Sequence, residues 1–354
     1  MPINATTKLQ CFWRDSLVCR EFRSAVSLHS HTMYSEESLR ALPRYLAQHA
    51  GFDLRDGFWT PPLTARQAYR LEQKQMESAF QLPGFVSLTD HDDIRAGAGL
   101  RVLDGFRDAP ISTEWTMPFG STFFHLGVHN LPPRDARATT QELADFTSRP
   151  EARKLSSALE RLTRHPEVLI VLNHPLWDEE RIGLSQHLKE LRALLDQQGR
   201  RIHALEVNGM RSWAENERVF LLGREAGLPV VAGGDRHGLE PNALLNLSRA
   251  TNFPEFVQEV RVQRFSHVVL MPQYRLSRKL RILHTVIDLL REYPDNWEGR
   301  RSWPERVFYR DPATRLPIPL SAFESSAALR LIERCLAALR LLDKRPSSVI
   351  LTNA

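Results

Sequence analysis

Apolar runs with strand character alternate with helical ones along this chain, and most of the strands end on a histidine. The first such run is Val26-Ser27-Leu28-His29-Ser30-His31-Thr32. Side chains two apart on a strand share a face. His29 and His31 therefore project together, with Leu28 and Ser30 turned the other way. Two imidazoles held like this make half of a metal site. Gly84–Leu88 runs into Asp90 and His91, Pro110–Trp115 carries Glu114, and Thr122–Val128 carries His125. Val168–Leu172 is almost wholly apolar, as a strand buried on both faces requires, and ends in Asn173-His174-Pro175. Ile202–Val207 ends in Asn208-Gly209, and Leu228–Ala232 in Gly233-Gly234-Asp235-Arg236-His237. Helical patterns lie between them, over Leu39–His49, Leu63–Phe80, Thr139–His165 (broken near Pro150), Leu184–Gln198, Trp213–Ala226 and Glu255–Gln263. This alternation predicts a parallel α/β architecture, with His267–Leu270 closing the core.

In a parallel α/β barrel the C-terminal strand ends form one mouth, where active sites gather. A lone histidine after a strand says little, but here the set recurs. Bringing His29, His31, His91, Glu114, His125, His174, Asp235 and His237 to one mouth is costly in charge and desolvation unless bound cations partner them. Imidazoles with bridging carboxylates suit Zn²⁺, Mn²⁺ or Fe²⁺ better than Mg²⁺ or Ca²⁺. The donors outnumber the four of a structural zinc site, so more than one ion is expected. Paired ions of that kind can share a hydroxide and clamp a phosphoryl oxygen.

The ordered set Leu28-His29-Ser30-His31-Thr32, Leu88-Thr89-Asp90-His91-Asp92, Ser112-Thr113-Glu114, Phe124-His125-Leu126, Leu172-Asn173-His174-Pro175 and Gly234-Asp235-Arg236-His237 resembles the successive motifs of the PHP (polymerase and histidinol phosphatase) family. The resemblance covers roughly residues 22–272. It implies an α/β fold, a distorted (β/α)7 barrel, with two to three divalent transition-metal ions (Zn, Mn or Fe) at its mouth, and phosphoester hydrolysis by a metal-activated hydroxide. Carried over by position, the ligands are His29, His31, His91, Glu114 as the bridging carboxylate, His125, His174, Asp235 and His237. Asp90 is expected to orient His91, and Asp235 or His237 to relay a proton. The family's Ser-Asp-Gly turn reads Ser35-Glu36-Glu37 here, and spacing favours Glu36 over Glu37 as the remaining ligand. Amidohydrolases also begin with His-x-His, but typically continue with a metal-bridging lysine. No lysine stands near a strand end in this chain, and the Asp-x-His ending and Glu114 fit PHP better.

Three arginines near strand ends, Arg236, Arg95 and Arg211, are candidates to hold a substrate phosphate. The stretch between the first two motifs, about Glu37 to Pro62, is longer than the family pattern and is expected to shape the pocket. Residues 1–21 read as an irregular or hairpin lead-in. Residues 273–354 read as an appended helical region, with helices from Leu276 and from the capping box at Ser321-Ala322-Phe323-Glu324 to Leu342. Residues 293–319 read as irregular. The net charge of +5 and pI near 9.3 come largely from this region, where Arg275–Arg345 carries a net of about +6.

The favoured reading is a phosphatase acting on a small phosphorylated monoester. A phosphodiesterase or nuclease is the alternative that the basic tail suggests, although the tail lacks a nucleic-acid motif. A non-catalytic metal-binding module is the third. The tail helices could instead mediate oligomer contacts. No apolar run approaches the roughly 18 residues needed to cross a bilayer, and residues 1–20 lack a basic head followed by an apolar run, so no membrane partner is expected. Cys11, Cys19 and Cys335 show no paired spacing, and a reducing cytoplasmic setting is expected.

Overall fold

The computed structural model describes residues 5–14, 21–39 and 57–323. Beyond their first residues, the helices expected over Leu39–His49 and Ser321–Leu342 lie outside this range, as do Cys19 and Cys335.

The strands and helices of the core occur in the expected order. Strands β1 (Thr6–Cys11) and β2 (Ser24–Ser30) come first. Two short strands follow, β3 (Glu37–Ser38) and β4 (Phe58–Trp59), and then helix α1 (Ala65–Phe80). Thr64 caps α1 in a reciprocal box with Gln67, which fixes where the helix begins. Next come β5 (Gly84–Ser87), α2 (Arg95–Leu100), β6 (Thr113–Phe119) and β7 (Thr122–His129). The helical stretch broken at Pro150 is two helices, α3 (Ala136–Ser148) and α4 (Ala152–Arg164). The core continues through β8 (Leu169–Leu172), α5 (Leu184–Gln198), β9 (Ala204–Asn208), α6 (Trp213–Ala226) and β10 (Val230–Arg236). It ends with β11 (Leu244–Ser248), α7 (Phe253–Arg261) and β12 (Phe265–Leu270).

The sheet is mixed rather than parallel. Its ten strands run β1-β12-β11-β2-β10-β9-β8-β7-β6, with β5 on the other edge of β2. Pairs β2/β5, β2/β10, β10/β9, β9/β8 and β1/β12 are parallel. Pairs β6/β7, β7/β8, β11/β2 and β11/β12 are antiparallel. The loop between β6 and β7 is the reason for the first reversal. A parallel crossover needs a dozen residues or more, and only Gly120 and Ser121 separate these strands. Gly120 takes φ of 58°, the left-handed geometry that a tight hairpin favours. Two strands lie where the sequence showed none. The expected lead-in contributes β1, which pairs with the last core strand. The other, β11, holds a buried Asn246 whose side chain bonds both backbone groups of Ala232 (2.8 and 2.9 Å) and the Val26 carbonyl (3.2 Å). That amide stitches three strands together, which explains a polar residue in a fully buried strand.

The ladders leave the sheet open between β5 and β6. There a single parallel bridge, His91 to Glu114, joins them. Asp92 N–H donates to Glu114 O (2.9 Å) and Glu114 N–H donates to Asp90 O (3.1 Å).

Beyond β12 the expected helix is present as α8 (Arg278–Leu290), capped by Ser277. The following stretch is more ordered than its composition suggested. It forms β13 (Val307–Arg310) and β14 (Pro317–Pro319), which complete a separate four-stranded sheet in the order β14-β13-β4-β3.

One buried histidine ties core strands β8 and β9 together. His203 N–H donates to Ile170 O, and Ile170 N–H donates to His203 Nδ1, both at 2.9 Å. Burial, with Arg261 and Arg264 nearby, pulls the imidazole down to about 3. The unfolded chain therefore binds a proton here, between pH 6.5 and about 3, that the folded chain refuses. Stability falls as pH drops through that window. Chemical denaturation of wild type and His203→Asn across pH 7 to 4 is expected to show an extra loss in the wild type of about 1.4 kcal/mol per pH unit below 6.5.

Candidate metal centre

The strand ends are bent to bring their side chains together. His29, His174 and Asp235 all take positive φ (64°, 28° and 52°), a region non-glycine residues rarely occupy. Such geometry costs on the order of 1–3 kcal/mol per residue and persists only where the surroundings enforce it. At Asp235 it coincides with a register shift between β10 and β2.

Glu114 is the hub. Its carboxylate lies 2.9 Å from His29 Nε2, 3.1 Å from His174 Nε2, 3.3 Å from His31 Nε2, 3.4 Å from His91 Nδ1 and 3.5 Å from His125 Nδ1. Asp235 Oδ1 lies 3.5 Å from His31 Nε2 and 3.6 Å from both His29 Nε2 and His237 Nδ1. All eight of the residues collected from the strand ends are thus gathered in one buried cluster.

The remaining acidic position is Glu37, not Glu36. Glu37 is buried, 3.4 Å from His31 Nδ1 and His91 Nε2 and 3.1 Å from His237 Nε2. Ser35 Oγ–H donates to it at 2.6 Å. Glu36 points outward and pairs with Arg310. Adjacent residues of a strand face opposite ways, and the two-residue strand at Glu37 decides which faces inward. That strand forms with β4 and was not visible in the local sequence.

A second layer orients the imidazoles. His29 Nδ1–H donates to Glu206 Oε1 at 2.5 Å, which turns Nε2 toward Glu114. The other Glu206 oxygen accepts from His174 N–H (2.9 Å) and Asn208 Nδ2 (3.0 Å). Asn173 Nδ2 donates to Glu114 Oε1 at 3.0 Å. Asp90 does not touch the imidazoles. It accepts from Thr32 N–H (2.5 Å) and Thr32 Oγ–H (2.8 Å), and burial raises it to about 7 despite those bonds. It is a positioning residue that locks the loop after β2 against the loop after β5.

Of the three candidate arginines, the fold keeps one beside the cluster. Arg236 is buried on the far side of its strand, paired with Glu72 at 2.6 Å. Arg95 is largely exposed and pairs with Asp93. Arg211 is buried with its guanidinium 3.8 Å from the Trp177 ring centroid. Its Nε has no hydrogen-bond partner, and Asp235 is its strongest attractive charge. Trp177 packs edge-on against His174 at 5.1 Å. The same loop carries Glu179, whose Oε2 is buried without a hydrogen-bond partner. Burial raises its carboxyl, and its charged neighbours are His91, His174, Glu114 and Glu37. The sequence reading missed Trp177 and Glu179, since neither stands at a strand end.

The electrostatics are those of mutually dependent charges. Burial works against every ionised group here, yet His29 and its neighbouring imidazoles hold Glu114 well below the usual carboxylate range. Glu37 and Asp235 are held down in the same way, by His237 and by His29. Burial and the nearby His237 bring His31 down to about 4, leaving it a neutral donor. His29 and His31 direct their Nε2 atoms at each other, 3.1 Å apart, beside Glu114. Two imidazole lone pairs meeting beside a carboxylate need a proton or a cation among them. Among the described residues, five triads of the cluster bring their ligand atoms within 4.8 Å of one another, drawing on six histidines and four carboxylates. This donor set fits divalent transition metals.

No family model matches the chain, and no curated protein matches it. Solved structures with a distant likeness include the following three. An amidohydrolase from Chromobacterium violaceum is 16% identical, with 60% of this chain and 87% of that one covered and a TM-score of 0.37. PsfC from Pseudomonas syringae is 16% identical, with 75% and 97% covered and a TM-score of 0.45. A Bifidobacterium adolescentis protein proposed to be a metal-dependent phosphoesterase is 13% identical, with 68% and 96% covered and a TM-score of 0.38. Likeness this weak leaves the assignment to the site's own residues.

Three substitutions discriminate the roles assigned here. After growth with added Mn²⁺, elemental analysis of Glu37→Gln is expected to show about one ion fewer per chain, and Glu36→Gln no change. Gly233 has no room for a methyl, because a Cβ there would overlap the Glu206 carboxylate. Gly233→Ala is expected to displace Glu206 from His29 and lower metal affinity by about 10–100-fold.

Proposed function

We propose that this protein is a metal-dependent phosphoesterase of the PHP type, acting on small phosphate monoesters. The observation that carries the proposal is the cluster of six imidazoles and four carboxylates centred on Glu114. On this reading β2, β5, β6, β7, β8, β9 and β10 form a distorted seven-stranded barrel whose last seam is the His91–Glu114 bridge. His29, His31, His91, Glu114, His125, His174, Asp235, His237 and Glu37 would hold two to three ions. Bound there, such ions supply a water acidified toward neutral pH and offset charge on phosphoryl oxygens.

The chain's own groups do the rest. Glu206 and the Asp235 carbonyl fix the tautomers of His29 and His237 by accepting from their Nδ1–H groups. Arg211, pressed on Trp177, with an Nε that lies 4.0 Å from Glu215 Oε1 and makes no hydrogen bond, is placed to hold a non-bridging phosphoryl oxygen. Glu179 is the buried carboxyl beside it with an unused oxygen, and it hands a proton to the leaving alkoxide.

What favours a small substrate over a nucleic acid is the placement of three arginines of the basic tail. Arg281 and Arg306 are buried and donate to backbone carbonyls, and Arg300 donates to Met33 O and Thr60 Oγ1. These three guanidiniums are committed within the fold and do not form a phosphate-tracking face.

Hydrolysis assays with added Mn²⁺, Zn²⁺ or Fe²⁺ test the reading. Monoesters are expected to turn over, and Asp235→Asn to abolish turnover. Activity confined to diesters or oligonucleotides would refute the monoester assignment. Glu179→Gln is expected to lower kcat on alkyl phosphates by about 10²–10⁴-fold, and on nitrophenyl phosphate far less, because only the poor leaving group needs the proton.

A further inference from the structure

Glu37 enters the cluster from a strand of two residues, β3, which among the described residues pairs with the equally short β4 through Glu37↔Trp59 and Ser38↔Phe58. A two-stranded ribbon is marginal in water even at greater length. Three or more strands, or an apolar packing partner, are needed for it to persist. Both come from the C-terminal extension. Strand β13 pairs with β4 through Val307↔Trp59 and Phe308↔Phe58, and β14 covers the other edge of β13. The Phe58 and Phe308 rings stack at 4.8 Å and 9°. Arg310 lies over Phe58 and Arg300 over Phe308, giving a four-layer stack of cations and rings. Leu39, Trp303, Val307 and Leu320 form a small apolar cluster of their own beside Trp59.

The extension also grips the loop that precedes Glu37 and the residue that follows β4. Arg300 donates to Met33 O, Thr60 N–H donates to Arg306 O, and Arg310 pairs with Glu36. Arg306 makes the extension rigid. It is fully buried and donates to the carbonyls of Leu289, Arg291, Arg300 and Arg301.

We propose that metal occupancy at the His31–Glu37–His91 position and order in the β13–β14 extension are coupled through Glu37. The coupling rests on the metal-centre reading above. The extension holds Glu37 where it faces three imidazoles, His31, His91 and His237. By linkage, an ion held by Glu37 must in turn favour the ordered extension by the same factor. A region first read as an appendage is on this account part of the ligand shell's support, acting on Glu37 through pairs such as Val307↔Trp59 that are distant in sequence.

Hydrogen exchange on the full-length protein tests this, with Mn²⁺ as the probe. Loading a chelator-stripped sample is expected to slow exchange in peptides covering 57–60 and 306–310 by about tenfold, within the usual range of coupling between sites. Peptides in α5 are expected to stay unchanged. Glu37→Gln should keep its other ions, counted by elemental analysis, but lose this protection. Arg306→Met is expected to loosen the extension and to match Glu37→Gln in metal count. Equal exchange at 306–310 in stripped and loaded wild type, with metal shown to be bound, would overturn the coupling. So would an Arg306→Met protein with fast exchange there and a wild-type metal count. Wild type that takes up no metal would overturn the metal-centre reading itself, and the coupling with it.

Discussion

One carboxylate organises both the sheet and the site. Glu114 places five imidazoles within 3.5 Å of its two oxygens. Its backbone N–H and C=O bond to Asp90 and Asp92 across the gap that the ladders leave between β5 and β6. The seam of the fold and the centre of the cluster are therefore the same residue. Loosening that seam would move His91 away from Glu114, and removing the Glu114 charge would leave buried imidazoles without their main counter-charge.

The surrounding layers read as consequences of that constraint. Three ligand-type residues, His29, His174 and Asp235, stand at positive φ where the strands deliver them to the cluster. Gly233 is bare so that Glu206 can lie across β10 and reach His29. Asp90 is turned from the imidazoles to hold Thr32, which keeps the two motif loops in register. The short sheet made with the C-terminal extension sets the facing of Glu37. Each device spends local stability to fix a donor atom, the pattern expected where binding geometry dominates.

Much of this was legible in the sequence, because strand periodicity is local. The His29–His31 pair follows from the two-residue period, and the apolar run before His174 announces a buried strand. The order of elements from Leu63 to Arg236 follows the same way. What was not legible depends on partners distant in the chain. Strand β1 is recognisable only through β12, and β11 only through the Asn246 amide that serves three strands. Glu36 and Glu37 are chemically alike, and the choice between them is made by pairing with residues near 58 and 308. Arg236 looked like a phosphate ligand by position, yet the alternation along β10 sends it to Glu72, a partner no local pattern reveals.

The most direct test of the account is anomalous diffraction from crystals of the full-length protein grown with Mn²⁺. The account predicts more than one anomalous peak inside the cluster, with Glu114 bridging two of them and Glu37, not Glu36, among the ligands. Crystals with Mn²⁺ bound elsewhere, and no peak within coordination distance of Glu114, would contradict it.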